Sequence, residues 1–188
     1  MRQIYQFIDI ETTHLNSEIG EIIEIAILTS YDGGRTITEK WTTRIKPEHI
    51  ATADPRALEI NKYCPFVWHD APNWVYAWAI IIEKINKDAV IVAHNILFDA
   101  EWINSKIGNE TDWKLPRNKI CTKSLAIEHL PSAPSTSLSY LRKLFGLSHI
   151  LAHTAAKDAL DCHVVFNKLK RATTLKRLLW KYKIWRLK

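Results

Sequence analysis

Phe7-Ile8-Asp9-Ile10-Glu11-Thr12-Thr13 sets two carboxylates inside an apolar run. With Ile4 upstream, residues 3–10 read as a buried strand, and the strand's period of two sends Asp9 and Glu11 to one face. A buried charge needs a counter-ion or a ligand, so the pair is half of a metal site, unless it is simply a solvated strand end. Working outward, residues 22–29 form a second apolar run and residues 36–45 alternate as a third, with Asp32-Gly33-Gly34 between them as a hairpin turn.

Beyond Pro47 the texture changes. Asp54-Pro55 marks a helix start in a polar connection that carries only short helix up to Asp70. Trp74, Trp78, Ile81, Ile82 and Ile85 then fall at helical spacing. Residues 89–93 predict a short buried strand, residues 97–107 a helix, and Ile120-Cys121 a brief strand leading into helix through Glu128. A Ser/Pro-rich loop over residues 131–137 precedes a helix built on Leu138, Leu141 and Leu144, and a last helix is predicted over 155–169. Three strands followed by alternating helices and strands argue for an α/β fold, a mixed sheet flanked by helices.

Two further polar groups stand where such a sheet collects ligands. Asp99 follows the short strand and opens a helix, near the carboxyl ends of the strands; without the Asp9 and Glu11 pair it reads first as a helix-terminal charge favoured by the dipole. His153 and Asp158 are five apart, which turns a helix through roughly 500° and leaves the two on different faces. His153 is therefore expected in the loop before the helix and Asp158 in its first turn.

The chain of 188 residues is expected to form one catalytic domain over residues 1–170 and a basic amphipathic helical tail over 171–188. From Cys162 onward there are nine Lys or Arg and no acid, which leaves seventeen bases against twenty acids in residues 1–161. An acidic body with a basic tail suits a protein that gathers cations and touches a polyanion, although solubilising charge explains it too. In the tail, Leu175, Leu178, Leu179 and Tyr182 form an apolar stripe flanked by Lys176, Arg177, Lys181 and Lys183, with Trp180 and Trp185 interleaved. Nucleic-acid contact, docking onto protein and membrane-surface association all fit this pattern. Cys64, Cys121 and Cys162 lack zinc or redox spacing and are expected as reduced, buried thiols. No apolar stretch is long enough for a signal peptide or a membrane span, so a cytoplasmic location is expected.

Taken together, the segments 7–13, His94-Asn95-Ile96-Leu97-Phe98-Asp99 and His153 through Asp158 resemble the three exonuclease motifs of the DEDDh nucleases, a DnaQ-like group that includes polymerase proofreading subunits, exonuclease X and ribonuclease T. Residues 120–126 and 137–141 also resemble family segments, so the likeness covers roughly residues 4–168. The sister branch carries Tyr four residues before the last Asp, where this chain has Thr154; His153 at minus five marks the histidine branch. His14 is a departure, since the family's Thr-Thr is usually followed by Gly.

The resemblance implies a ribonuclease H-like mixed five-stranded sheet flanked by helices, and 3′-to-5′ removal of nucleoside 5′-monophosphates from DNA, in proofreading or repair. It also implies two Mg²⁺ or Mn²⁺ ions, one among Asp9, Glu11 and Asp158 and the second near Asp9 and Asp99. His153 becomes the general base, and Thr12, Leu15, His94, Asn95 and Phe98 the positions that line the terminal-nucleotide pocket. Leu15 and Phe98 are equally explained by packing, and His94 and Asn95 by a hydrogen-bonded turn. Asp161 rivals Asp158 because three residues on shares its helix face; the His153 spacing favours Asp158. Glu18, Glu21 and Glu24 are expected as surface or supporting acids. RNA is the nearest rival substrate, and an idle nucleic-acid-binding scaffold the rival of another class. Proofreading would require a separate polymerase partner.

Overall fold

The computed structural model describes residues 3–108 and 111–186, with side chains described as far as Arg171. The acid-bearing strand, β1 (Tyr5–Thr12), lies at the centre of a five-stranded sheet. On one side it pairs antiparallel with β2 (Ile22–Ser30), which pairs with the edge strand β3 (Glu39–Arg44); on the other it runs parallel to β4 (Val90–Ala93), which is followed by β5 (Lys119–Cys121). The order is β3-β2-β1-β4-β5. All nine residues of β2 are buried, as expected of a strand covered on both faces.

Alternation along β1 divides the core into two layers. Ile8 and Ile10 point into an aliphatic cluster with Ala77 and Ile81 of α3 (Trp74–Lys84) and Trp102 and Ile103 of α4 (Ile96–Gly108). Phe7 points the other way, against Ala155, Ala159, Cys162 and Phe166 of α7 (Ala155–Arg186). Asp9 and Glu11 share the parity of Phe7, so the sequence's alternation aims both carboxylates toward the layer that holds α7. That layer is completed by α5 (Thr122–His129) and α6 (Leu138–Leu144), which pack Ala126, Leu138 and Leu141 on Val165 and Leu169. The connection after β3 holds a short 3-10 turn (Ile50–Thr52), α1 (Pro55–Ile60) and α2 (Pro65–Trp68).

The structure shifts several sequence expectations. The first strand runs on to Thr12, so it carries both acids. The third is shorter than residues 36–45, because the Asp32 carboxylate accepts the N–H groups of Arg35 and Thr36 at 2.8 and 3.0 Å and holds them in the turn. Gly33 and Gly34 there have φ of 81° and 82°. The last helix continues past residue 169 without a break at residue 171; the tail's apolar stripe and basic flanks fall on side chains outside the described residues. Cys64 is exposed rather than buried. Among the described residues no helix is long and apolar enough to cross a membrane.

Candidate active site

Three carboxylates converge where the parallel strands β1 and β4 end. Asp9 and Glu11 come from β1, and Asp158 comes from the first turn of α7, which crosses the same face of the sheet. One oxygen from each lies within 4.8 Å of the others. Asp99, in the first turn of α4 and 3% exposed, stands outside this trio and acts electrostatically on Asp9. Of the four acids expected from sequence, the fold thus brings three into one cluster and sets the fourth beside Asp9.

Burial dominates the electrostatics. It pushes Asp9 well above the ordinary carboxylate range, and the charges of Asp99, Asp158 and Glu11 push further. Glu11 rises to about 8, first by burial and then by Asp158 and by Glu24, its cross-strand partner on β2. Asp99 also rises to about 8 by burial, against hydrogen bonds from its own backbone and that of Ile10. Asp158 is raised too, since burial outweighs the Arg142 guanidinium beside it. Among the described residues no Lys or Arg forms an ion pair with Asp9, Glu11 or Asp99. Crowded, hard oxygen donors, answered by the single guanidinium of Arg142 on Asp158, fit a divalent metal. Asp9, Glu11 and Asp158 are the residues that would hold it.

His153 lies in the loop before α7, where the spacing predicts it. It is exposed, its φ is 63°, and its backbone N–H donates to Asp158 Oδ1 at 3.2 Å. Its imidazole is close enough to act electrostatically on Asp158. Lys62, after α1, donates from Nζ to the Ala152 carbonyl at 3.4 Å and so touches the same loop.

The five expected pocket residues divide. Thr12 is buried and its hydroxyl donates to the His14 carbonyl at 2.8 Å, while Leu15, at 79% exposed, stands in open solvent on the loop that follows. His94 closes β4: its Nδ1 lies 2.9 Å from Thr122 Oγ1, and burial lowers its pKa to about 4, so the ring is neutral near pH 7. Asn95 is exposed with φ of 76°, a left-handed position that asparagine tolerates. Phe98 is half-buried, its ring 5.9 Å from that of Trp102. The His14 departure is accommodated locally. Its Nδ1 accepts the Asn16 N–H at 2.9 Å, and the loop closes on Gly20, where an added Cβ would lie 2.7 Å from both His14 Cβ and the Trp102 ring.

The sequence reading missed Arg142. This α6 residue is 1% exposed and ion-pairs with both Asp158 and Asp161. Asp161, the rival for Asp158, is taken up by Arg142 and by Lys157 instead of joining the acid cluster. Glu24 is also nearer than expected, 9% exposed and opposite Glu11. The signal available for Arg142 was a basic residue next to Leu141, inside a helix otherwise read by its leucines.

The chain is 27% identical over 177 residues to the DNA polymerase III epsilon subunit of Aquifex aeolicus, covering 94% of this chain and 83% of the relative. It is equally 27% identical over 177 residues to ribonuclease T of Shewanella denitrificans, covering 84% and 78%. Its fold matches Escherichia coli exonuclease I in complex with a dT13 oligonucleotide, at a TM-score of 0.80 and 19% identity, over 96% of this chain. The chain spans 43% of that longer protein. The exonuclease family RNase_T matches residues 7–183, which takes in all three acidic segments. The chain belongs to this family of exonucleases.

Proposed function

We propose that the chain removes nucleoside 5′-monophosphates one at a time from DNA 3′ ends by hydrolysis, with Asp9, Glu11, Asp99, Asp158 and His153 as its catalytic set. The observation that carries this reading is the convergence of Asp9, Glu11 and Asp158 within 4.8 Å, with His153 in the loop tied to Asp158. Asp9, Glu11 and Asp158 hold one divalent cation, Mg²⁺ or Mn²⁺, and Asp9 with Asp99 favours a second. Bound there, such cations polarise the scissile phosphate and make water a stronger nucleophile. The His153 imidazole accepts the proton of the attacking water, and its exposed loop lets it approach as the substrate docks. In this reading Leu15 and Asn95, both exposed, meet the terminal nucleotide, and His94 and Phe98 help shape its pocket. Thr12 acts through its loop, since its hydroxyl is engaged.

DNA is preferred here on the similarity to the polymerase III epsilon subunits, which also makes a polymerase the partner to look for. The ribonuclease T relative, at the same identity, keeps RNA as the second reading. The test is a timed digestion of matched single-stranded DNA and RNA, labelled at the 3′ or 5′ end, with Mg²⁺ or with EDTA. We expect mononucleotides from the 3′ end of DNA, none in EDTA, and none from Asp9→Ala. Cleavage of RNA alone would replace the substrate; full activity of Asp9→Ala would remove the site.

A further inference from the structure

Arg142 is a buried cation that the hydrolytic reading does not use. At 1% exposure a guanidinium persists only where carboxylates answer it. Its Nη2 pairs with Asp158 Oδ1, and its Nε donates to Asp161 Oδ2 at 2.5 Å. Asp161, itself 3% exposed, accepts at its other oxygen from Lys157 Nζ, one helical turn back. Asp158 and Asp161 are three apart on α7 and share a face, so one planar guanidinium spans both. Lys157, Asp161, Arg142 and Asp158 thus form a chain of two cations and two anions that balances its own charge.

The two oxygens of Asp158 are treated differently. Oδ1 accepts from Arg142 Nη2 and from the His153 N–H, whereas Oδ2 takes no hydrogen bond from the described residues. Anchoring one oxygen fixes the rotation of the carboxylate. We propose that Arg142, itself anchored by Asp161, is a positioning residue that holds Asp158 by Oδ1 and leaves Oδ2 to the cation shared with Asp9 and Glu11. This rests on the cation-site reading above. Partners of this kind behind a ligand commonly change metal affinity by about 10- to 100-fold.

The competing role is packing, a tie between α6 and α7. Arg142→Met combined with Asp161→Leu separates the two, because it replaces the inner pair by apolar groups of similar bulk and leaves Lys157 and Asp158, one cation and one anion, as the remaining charges of the chain. Mn²⁺ binding to the full chain is measured from the electron paramagnetic resonance signal of free Mn²⁺, with thermal melting in EDTA as the control for folding. We expect the double variant to melt near the wild type and to bind Mn²⁺ about 10- to 100-fold more weakly. Wild-type affinity in that folded variant overturns the proposal and assigns Arg142 to packing. Should the double variant not fold, Arg142→Lys decides: it keeps the charge but cannot reach both carboxylates as a fork. Affinity about tenfold weaker supports positioning, and unchanged affinity overturns it. Failure of the cation site itself shows separately, as wild-type Mn²⁺ binding by Asp9→Asn.

Discussion

Asp99→Asn leaves a side chain of nearly the same shape and deletes one titratable group facing Asp9. Burial holds the Asp99 proton to about pH 8, against an ordinary value of 3.8. Between those values the folded chain binds a proton that the unfolded chain has released, so stability falls as pH rises through the window. At about 1.4 kcal/mol per unit, the displacement sets a ceiling of roughly 6 kcal/mol on the cost of ionising Asp99 by pH 8. A third of that ceiling is about 2 kcal/mol, or roughly 4–8 °C of melting temperature for a domain of this size. Asparagine has no proton to lose. In EDTA the variant should therefore melt above the wild type at pH 8, with the gap shrinking as the pH is lowered toward 5. With saturating Mn²⁺ the order should reverse, since a cation bound only by the folded state stabilises the wild type. Calorimetry across pH 5–8, with and without Mn²⁺, makes the comparison. A gap in EDTA that is absent, or the same at both ends of the range, would refute the assignment of buried-charge cost to Asp99.

Three other perturbations follow from the structure. His153→Asn, chosen because asparagine tolerates the φ of 63°, should lower the single-turnover rate by about 10²- to 10⁴-fold while Mn²⁺ binding stays within a few-fold. A rate within a few-fold of wild type would remove His153 as the base. Gly20→Ala should destabilise the chain by about 1–3 kcal/mol in a melting experiment, because its Cβ would lie 2.7 Å from His14 Cβ and the Trp102 ring. Adding His14→Gly should recover part of that loss. Truncation after Arg171 removes six basic residues, and should flatten the salt dependence of binding to long single strands while dinucleotide cleavage survives. An unchanged salt slope would exclude backbone contact by the tail.

Where local periodicity carries the information, the sequence was legible. The period of two puts Asp9 and Glu11 on one face of their strand, and the 500° argument puts His153 in a loop, as found. Contacts between distant elements were not legible. In α6 the leucines at 138, 141 and 144 read as one apolar stripe, yet Leu144 is 46% exposed while Arg142 beside Leu141 is buried. An arginine enters a core only when carboxylates from elsewhere meet it, and nothing within α6 announces Asp158 and Asp161 nineteen or fewer residues on. Likewise β3 is shortened by the Asp32 carboxylate capturing Arg35 and Thr36, an interaction that alternating hydrophobicity does not register.

The hydrogen bond from the His153 backbone to Asp158 Oδ1 has a consequence for how the site is dissected. It ties the loop that carries the proton acceptor to a cation ligand through the main chain, so a change at Asp158 loosens the placement of His153, whereas a side-chain change at His153 keeps the tie. In a thermodynamic cycle built from His153→Asn, Asp158→Asn and the pair, the rate losses should not multiply; the second change should cost far less once the first has been made.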